Sequence, residues 1–194
     1  MTAILKTFRK TSNEFLDYTI DWSKWLASGD SLTSSTWTIT QIETVEEGDP
    51  GPLTGSVQTN TTTMATIWLA DGIVGESYDI TNSIKTSAGR QEDRTIRILI
   101  IDAAVEKTFF KDPNAVLDYT VDWSLWMTSG DSISSVDWTV ESGLLDAQET
   151  NDADSATIWL SGGTAGTAYK IVSQITTADT RIAERAFEVQ IIDR

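Results

Sequence analysis

The chain of 194 residues contains no cysteine and no histidine. Without cysteine, it has no disulfide, no thiolate metal site and no cysteine nucleophile. Without histidine, it lacks the usual general base near neutral pH and the commonest protein metal ligand. The composition therefore excludes Ser-His-Asp and Cys-His catalysis and most kinds of zinc site.

Basic residues are also scarce, with 14 Lys and Arg against 29 Asp and Glu and a formal net charge of −15. Binding to phosphates needs a basic surface that releases counterions, so we expect no nucleic-acid partner. The same charge argues against anionic membrane surfaces. An acidic, solvated shell that keeps the protein soluble is the simplest interpretation.

Long apolar runs are missing as well. No run is long and apolar enough to span a bilayer. The first residues, MTAILKTFRKT, lack the apolar core and small-residue cleavage site of a signal peptide. We therefore expect a soluble protein that is made in a cytoplasm and has no membrane partner.

A long internal repeat dominates what is present. The run LDYTIDWSKWLASGDS begins at Leu16, and LDYTVDWSLWMTSGDS begins at Leu117. Trp37 matches Trp138, TIWL occurs twice, and all eight tryptophans fall into four matched pairs. Self-similarity over units of domain size indicates a tandem duplication.

The repeat predicts two domains, at residues 1–102 and 103–194. The first copy carries an insertion of about ten residues relative to the second, around Glu46–Gly55, rich in Gly, Pro and acidic residues. Such a composition is typical of an exposed loop, where added length costs little. We expect this insertion to make a contact that the second domain cannot make.

Within each copy the apolar residues alternate with period two. Leu16, Tyr18, Ile20 and Trp22 alternate with polar residues, and Ile67 and Leu69 flank Trp68, which should face the other way. No segment has a helical apolar stripe. Short strands between glycine-rich turns predict an all-β fold: two tandem immunoglobulin-like β-sandwich domains from an internal duplication.

Particular aromatic residues support this fold. Tyr78 and Tyr169 each begin a late strand after a glycine-containing turn, as in a tyrosine corner, where the hydroxyl bonds back to the chain upstream. We expect Trp37 and Trp138 to be core residues between the sheets. Trp22 and Trp25, with their counterparts, should fill and cap one end of each sandwich; the alternative is that one of each pair is an exposed interface anchor.

Four carboxylates repeat on the second strand of each copy: Asp17, Asp21, Asp118 and Asp122. Positions four apart along a strand are separated by roughly 13 Å, which is longer than glycosidase chemistry allows. We expect solvated charges on the outer face of the sheet.

Two other sets of polar residues are candidates for binding a metal ion or a partner. The segment ETNDADS, Glu149–Ser155, offers oxygen ligands but lacks the glycine and the distal glutamate of an EF-hand calcium loop. The pairs Arg90–Arg94 and Arg181–Arg185 flank a predicted hairpin turn, where surface ion pairs are the ordinary outcome and contact with an acidic partner is the alternative. Nothing assembles a nucleophile, base and oxyanion site, so we predict no enzyme and no catalytic, cofactor-binding or metal-binding residues.

The combined pattern resembles a family of tailed-bacteriophage structural proteins. It is carried by KDPNAVLDYTVDWSLWM, TIWLSGGTAGTAY and ITTADTR with Arg185 following. This is similar to immunoglobulin-like domains of fibre–tail adaptor or head–tail structural proteins, and the resemblance covers both copies. Copy two has Asp179-Thr180 where copy one has Ala88-Gly89.

The resemblance implies a virion protein, made in the host bacterial cytoplasm, that attaches a fibre to the tail or head–tail connector. Its partners would be other virion proteins of the tail, connector, fibre or capsid, and several copies would be present per particle. Two alternatives remain open, a capsid decoration protein and a carbohydrate-binding host-adhesion module.

Overall fold

The computed structural model describes residues 3–42 and 52–193, and these form strands, turns and loops without a helix. The chain divides into two compact units, Met1–Asp102 and Ala103–Arg194, with seven strands in each. In the first unit the strands are β1 Ile4–Thr11, β2 Leu16–Asp21, β3 Leu32–Gln41, β4 Thr54–Asn60, β5 Met64–Ala70, β6 Ser77–Thr86 and β7 Gln91–Ile101. In the second they are β8 Val105–Lys111, β9 Leu117–Asp122, β10 Ile133–Val140, β11 Leu144–Asn151, β12 Ser155–Gly162, β13 Ala168–Thr177 and β14 Ile182–Ile191.

The strands of the first unit form two sheets, in the orders β1-β7-β6-β3 and β2-β5-β4. Only the β1–β7 pair is parallel; the other pairs are antiparallel. This is the immunoglobulin arrangement, in which the first strand joins the last strand of one sheet and the second, fourth and fifth strands form the other. The prediction of an immunoglobulin-like sandwich is confirmed.

The second unit repeats this topology strand for strand, with sheets β8-β14-β13-β10 and β9-β12-β11. The β8–β14 pair is again the parallel one. The internal duplication seen in the sequence is therefore a duplication of a complete sandwich, with the same strand order in both copies.

The alternating apolar residues form the core of each sandwich. In β5, Ala65, Ile67 and Leu69 are fully buried, whereas Trp68 lies half-buried on the outer face, as predicted. Trp37 on the third strand is buried, but its counterpart Trp138 is only half-buried against the core. Trp37 is a core residue, as predicted, and Trp138 packs against both core clusters of its domain but is less completely buried.

The largest buried side chains are instead Trp22 and Trp123, which are 0% and 1% exposed. Each follows directly after the second strand of its domain, where the sheet ends and the chain turns inward. Burial of such a side chain removes a large apolar area from water. The predicted core-filling role of this position is confirmed, and an exposed-anchor role for it is excluded.

Both predicted tyrosine corners are present. The hydroxyl of Tyr78 accepts a hydrogen bond from the backbone N–H of Ile73 at 3.3 Å. The hydroxyl of Tyr169 accepts one from Thr164 at 3.1 Å. Each bond reaches five residues upstream and fixes the loop that enters the sixth strand of the sandwich.

Two buried lysines were not predicted from the sequence. Lys10 and Lys111 end the first strand of each domain and are 1% exposed. The ammonium of Lys10 donates to the carbonyls of Thr11 and Asp71, and that of Lys111 donates to the carbonyls of Asp112, Pro113 and Gly162. Burial lowers the pKa of Lys111, although the charge of Asp112 opposes this. Each lysine ties its strand to the loop after the fifth strand.

The insertion predicted at Glu46–Gly55 lies partly outside the described residues, which resume at residue 52. Its last part is not an exposed loop. Leu53 is 4% exposed and Thr54 and Gly55 belong to β4. Leu53 fills the core position that Leu144 fills in the second domain, so the loop prediction is wrong for these residues.

Candidate binding surfaces

The turn between the second and third strands is built from aromatic and guanidinium groups. The rings of Trp22 and Trp25 meet edge to face, with centroids 5.6 Å apart. The guanidinium of Arg94 lies 4.0 Å from the Trp22 ring and that of Arg90 lies 4.1 Å from the Trp25 ring. Such cation–π contacts stabilise the turn by about 0.5–1 kcal/mol each at exposed positions.

Arg90 also pairs with Asp30 at 3.0 Å, a residue sixty positions earlier in the chain. The Asp30 side chain is 3% exposed. Burial alone would raise the pKa of Asp30, but hydrogen bonds from Ser87, Ala88, Thr86 and Arg90 hold that pKa well below its usual range. Arg90 thus forms an ion pair, as expected for this turn, but its partner is Asp30 and not the neighbouring Glu92 or Asp93, and the pair joins two loops at one end of the sandwich.

The second domain repeats the device with Trp123 and Trp126, again edge to face at 5.6 Å. Arg185 lies 4.5 Å from the Trp123 ring, and Arg181 donates to the hydroxyl of Thr128. The arginines singled out in the sequence thus have internal partners that organise the turn.

The repeated aspartates have two different places. Asp21 and Asp122 end their strands, and one carboxylate oxygen of each accepts a backbone N–H, from Ser23 and Ser124 respectively. These hydrogen bonds lower the pKa of both aspartates. Asp17 lies opposite the outer-face Trp68 in the pairing of β2 and β5. Asp118 is exposed on β9 opposite the outer-face Trp159. The prediction of outer-face charges is confirmed for Asp17 and Asp118, and the turn-forming role of the other two was not predicted.

Acidic groups gather along β11 of the second domain. A hydrogen bond with Asp146, followed by burial and the charges of Asp146 and Asp137, raises the pKa of Glu149 to about 7. Among residues 3–42 and 52–193, no group of three or more carboxylates is arranged to hold a metal ion. Likewise, no helix within those ranges is long and apolar enough to cross a membrane.

The two domains share most of their buried residues but differ on their exposed surfaces. Leu125, at the tip of the turn after β9, is 98% exposed, and the first domain has Lys24 at the matched position. Leu145 on β11 is 66% exposed, and the matched residue is Thr54. The strands β3 and β4 carry no charged residue, whereas β10 and β11 carry Asp137, Asp146 and Glu149.

One cavity of about 130 Å³ opens between β8 and β9 in the second domain, lined by Phe109, Val121 and Phe187 and by polar residues of the same strands and β14. It is smaller than the roughly 300 Å³ of a small-molecule pocket. The matched residue of Val121 in the first domain is Ile20, which is 4% exposed, whereas Val121 is only half-buried. One wall residue of the cavity is therefore smaller and less buried than its counterpart in the first domain.

Sequence comparison matches the family described as podophage GP4 fiber-tail adaptor protein gp77, over residues 10–99 and 111–190. The two matched segments cover the second to the sixth strand of each domain, nearly all of the seventh, and only the end of the first. The chain belongs to this family. It is therefore a structural adaptor of the phage virion, as the sequence resemblance implied.

Comparison of the adaptor with solved structures gives three examples of low identity. The titin Ig tandem domains A164-A165 match at 9% identity and a TM-score of 0.34, covering 97% of this chain and 93% of that chain. Titin domains Z1Z2 with telethonin match at 10% and 0.33, covering 100% and 95%. The endo-fucoidan hydrolase MfFcnA9 matches at 13% and 0.32, covering 97% and 33%. Comparison with curated proteins gave no match.

Three features of the adaptor were not found from its sequence: the buried lysines, the arginine–tryptophan stacking and the uneven charge of the outer strands. The first had a signal, because Lys10 and Lys111 occupy matched positions in the repeat. The other two depend on contacts between residues that are distant in sequence, such as Arg94 and Trp22.

Proposed function

We propose that this adaptor is a non-catalytic connector, present in several copies per particle, that binds the tail or connector with one domain and the fibre with the other. The proposal rests on one observation: most buried residues are repeated in the two domains, whereas several exposed residues are not. The stacked tryptophans and the tyrosine corners recur in both domains, as with Trp22 and Trp123, whereas exposed positions such as Lys24 and Leu125 differ.

A duplication that preserves only the core keeps the fold and frees the surface for different partners. Function on immunoglobulin-like domains lies in such surfaces rather than in the fold. The two domains therefore support two contacts of different chemistry, which is what a connector between two virion proteins requires. Repetition around a symmetric tail adds avidity, so each contact can be modest.

A non-catalytic role is supported by where the polar side chains are used. The chain has no Cys or His, and its repeated aspartates and arginines, such as Asp21 and Arg90, complete turns and ion pairs within their own domain. A carbohydrate-binding role would call for aromatic side chains exposed on one face. All eight Trp and all four Tyr are buried or half-buried instead.

The order of assembly tests the adaptor role. Particles made without this chain should lack fibres, whereas particles made without the fibre should still contain the chain. Quantitative mass spectrometry of purified particles measures both proteins and their ratio to a protein of known copy number. Fibres on particles that lack the chain, or a chain missing from normal particles, would contradict the proposal.

A further inference from the structure

Strand β4 is an open sheet edge on the first domain. It lies at the end of the sheet β2-β5-β4, and no described strand pairs with its outer side. All seven of its residues are exposed, and Val57 is 46% exposed. An open edge presents a row of unpaired N–H and C=O groups, which another strand can pair with.

Natural proteins block such edges with charges, prolines or bulges. The matched edge strand β11 is almost as exposed but carries two acidic residues, Asp146 and Glu149. The corresponding residues of β4 are Gly55 and Gln58. Both strands have an irregularity at the same place in their pairing, so the bulge does not distinguish them.

The difference in charge extends to the neighbouring edge strand. Thr36 in β3 stands where β10 has Asp137, so three acidic residues of the second domain correspond to three neutral residues of the first. Although the chain has a net charge of −15, neither of these two edge strands of the first domain carries a charged residue. The second domain shows that acidic residues are compatible with this edge of the fold.

We infer that the outer edge of β4 is a docking site for an extended segment of another virion protein, which adds to the sheet as a further strand. The inference rests on the proposed connector function. Main-chain hydrogen bonds to β4 supply the affinity, and the neutral side chains of Val57 and Gln58 suit an uncharged segment, beside which a carboxylate would lose solvation without gaining a partner. A second copy of this chain is a poor occupant, because each copy brings 15 excess negative charges.

The absence of cysteine makes a direct test possible. In Val57→Cys the only thiol lies on the proposed edge, and in Gln148→Cys it lies at the matched position of β11. Particles are assembled with each variant, and the thiol is alkylated with a maleimide in the particle and in the free protein. We expect the thiol in Val57→Cys to react at least about tenfold more slowly in the particle, and that in Gln148→Cys to change by less than about twofold.

Several outcomes would overturn the inference. If the Val57→Cys thiol reacts at the same rate in the particle and in the free protein, the edge of β4 is open in the particle. If the Val57→Cys and Gln148→Cys thiols are protected equally, charge does not determine which edge binds a partner. Protection already present in the free protein would mean that the chain itself, or a second copy, covers β4. If the parent chain is missing from particles altogether, the proposed connector function is wrong. Measuring the parent chain in particles therefore distinguishes failure of the connector function from failure of the docking inference.

A charge variant tests the reason for the selection. Gln58→Glu places on β4 the acid that β11 has in Glu149, and Gln91→Glu adds the same charge to the interior strand β7. We expect the first to lower the amount of bound partner segment severalfold, measured as loss of Val57→Cys protection in the double variant. Unchanged protection with Gln58→Glu, or an equal loss with Gln91→Glu, would overturn the inference.

Discussion

Replacing Asn82 by alanine tests how the first domain holds its central tryptophan. Asn82 is fully buried, and its amide oxygen accepts the indole N–H of Trp22 at 3.0 Å. Its amide nitrogen donates to the hydroxyl of Ser35 at 2.7 Å and to the carbonyl of Thr36 at 3.2 Å. One side chain thus joins the core tryptophan to the neighbouring strand.

The matched residue in the second domain is Ser173, which is also fully buried. Neither its hydroxyl nor the indole N–H of Trp123 has a hydrogen-bond partner among the described residues. The chain therefore contains a natural control, in which the same position beneath the same tryptophan makes no such network.

The expected cost follows from the bonds that are lost. A typical hydrogen bond contributes about 0.5–1.5 kcal/mol, and a buried donor left unpaired costs about 1–3 kcal/mol. Asn82→Ala should therefore lower the free energy of unfolding of the first domain by about 2–4 kcal/mol. Ser173→Ala removes a buried hydroxyl without a partner, so it should leave the stability of the second domain unchanged or raise it by up to about 1 kcal/mol.

Calorimetry of the full chain measures both effects. For a domain of this size each kcal/mol moves Tm by about 4–8 °C, so Asn82→Ala should lower one transition by at least about 8 °C. Ser173→Ala should leave the transition of the first domain unchanged and should not lower that of the second. Equal losses for the two variants would refute the reasoning, as would a loss below about 1 kcal/mol for Asn82→Ala.

Three further predictions concern the second domain and can be checked by unfolding experiments. Thr180 has a φ of 66°, where the first domain has Gly89 at 79°, so Thr180→Gly should stabilise the domain by up to about 1 kcal/mol; a lower Tm would contradict this. Val121→Ile adds one CH₂ beside the cavity and should stabilise by up to about 0.8 kcal/mol, whereas a loss would show that the wall cannot accept it. The pKa of Glu149 is raised to about 7 in the fold, so the parent protein should lose stability as pH rises from about 4.5 to about 7. Glu149→Gln should remove that loss, and identical profiles of stability against pH for the two proteins would contradict this prediction.

The repeat made most of the fold predictable. Period-two alternation identifies strands because inward and outward side chains alternate along them, and a duplicated pattern identifies two domains of one kind. The corner tyrosines and the core position of Trp22 could be predicted for the same reason, since a local motif determines each of them. The turn before Arg181 also keeps its left-handed residue, although glycine is replaced there by Thr180.

Pairwise comparison of the copies was less reliable where their neighbours differ. Trp138 matches Trp37 in sequence but is less buried, because burial depends on what packs around a residue and not on its position in the repeat. The end of the predicted insertion was assigned to a loop by its composition, yet Leu53 completes the core and Thr54 begins an edge strand.

Composition by itself determined that the protein has no histidine or cysteine chemistry and carries a strong negative charge. Periodicity and repetition determined two sandwiches, because strand alternation is a local property that a sequence records directly. Only the tertiary structure decided which arginine stacks on which tryptophan, which lysines are buried, and which outer strand is left without charge at an open edge. These depend on pairings between strands far apart in the chain, such as β2 with β5 and β3 with β6, and the fold alone brings those residues together.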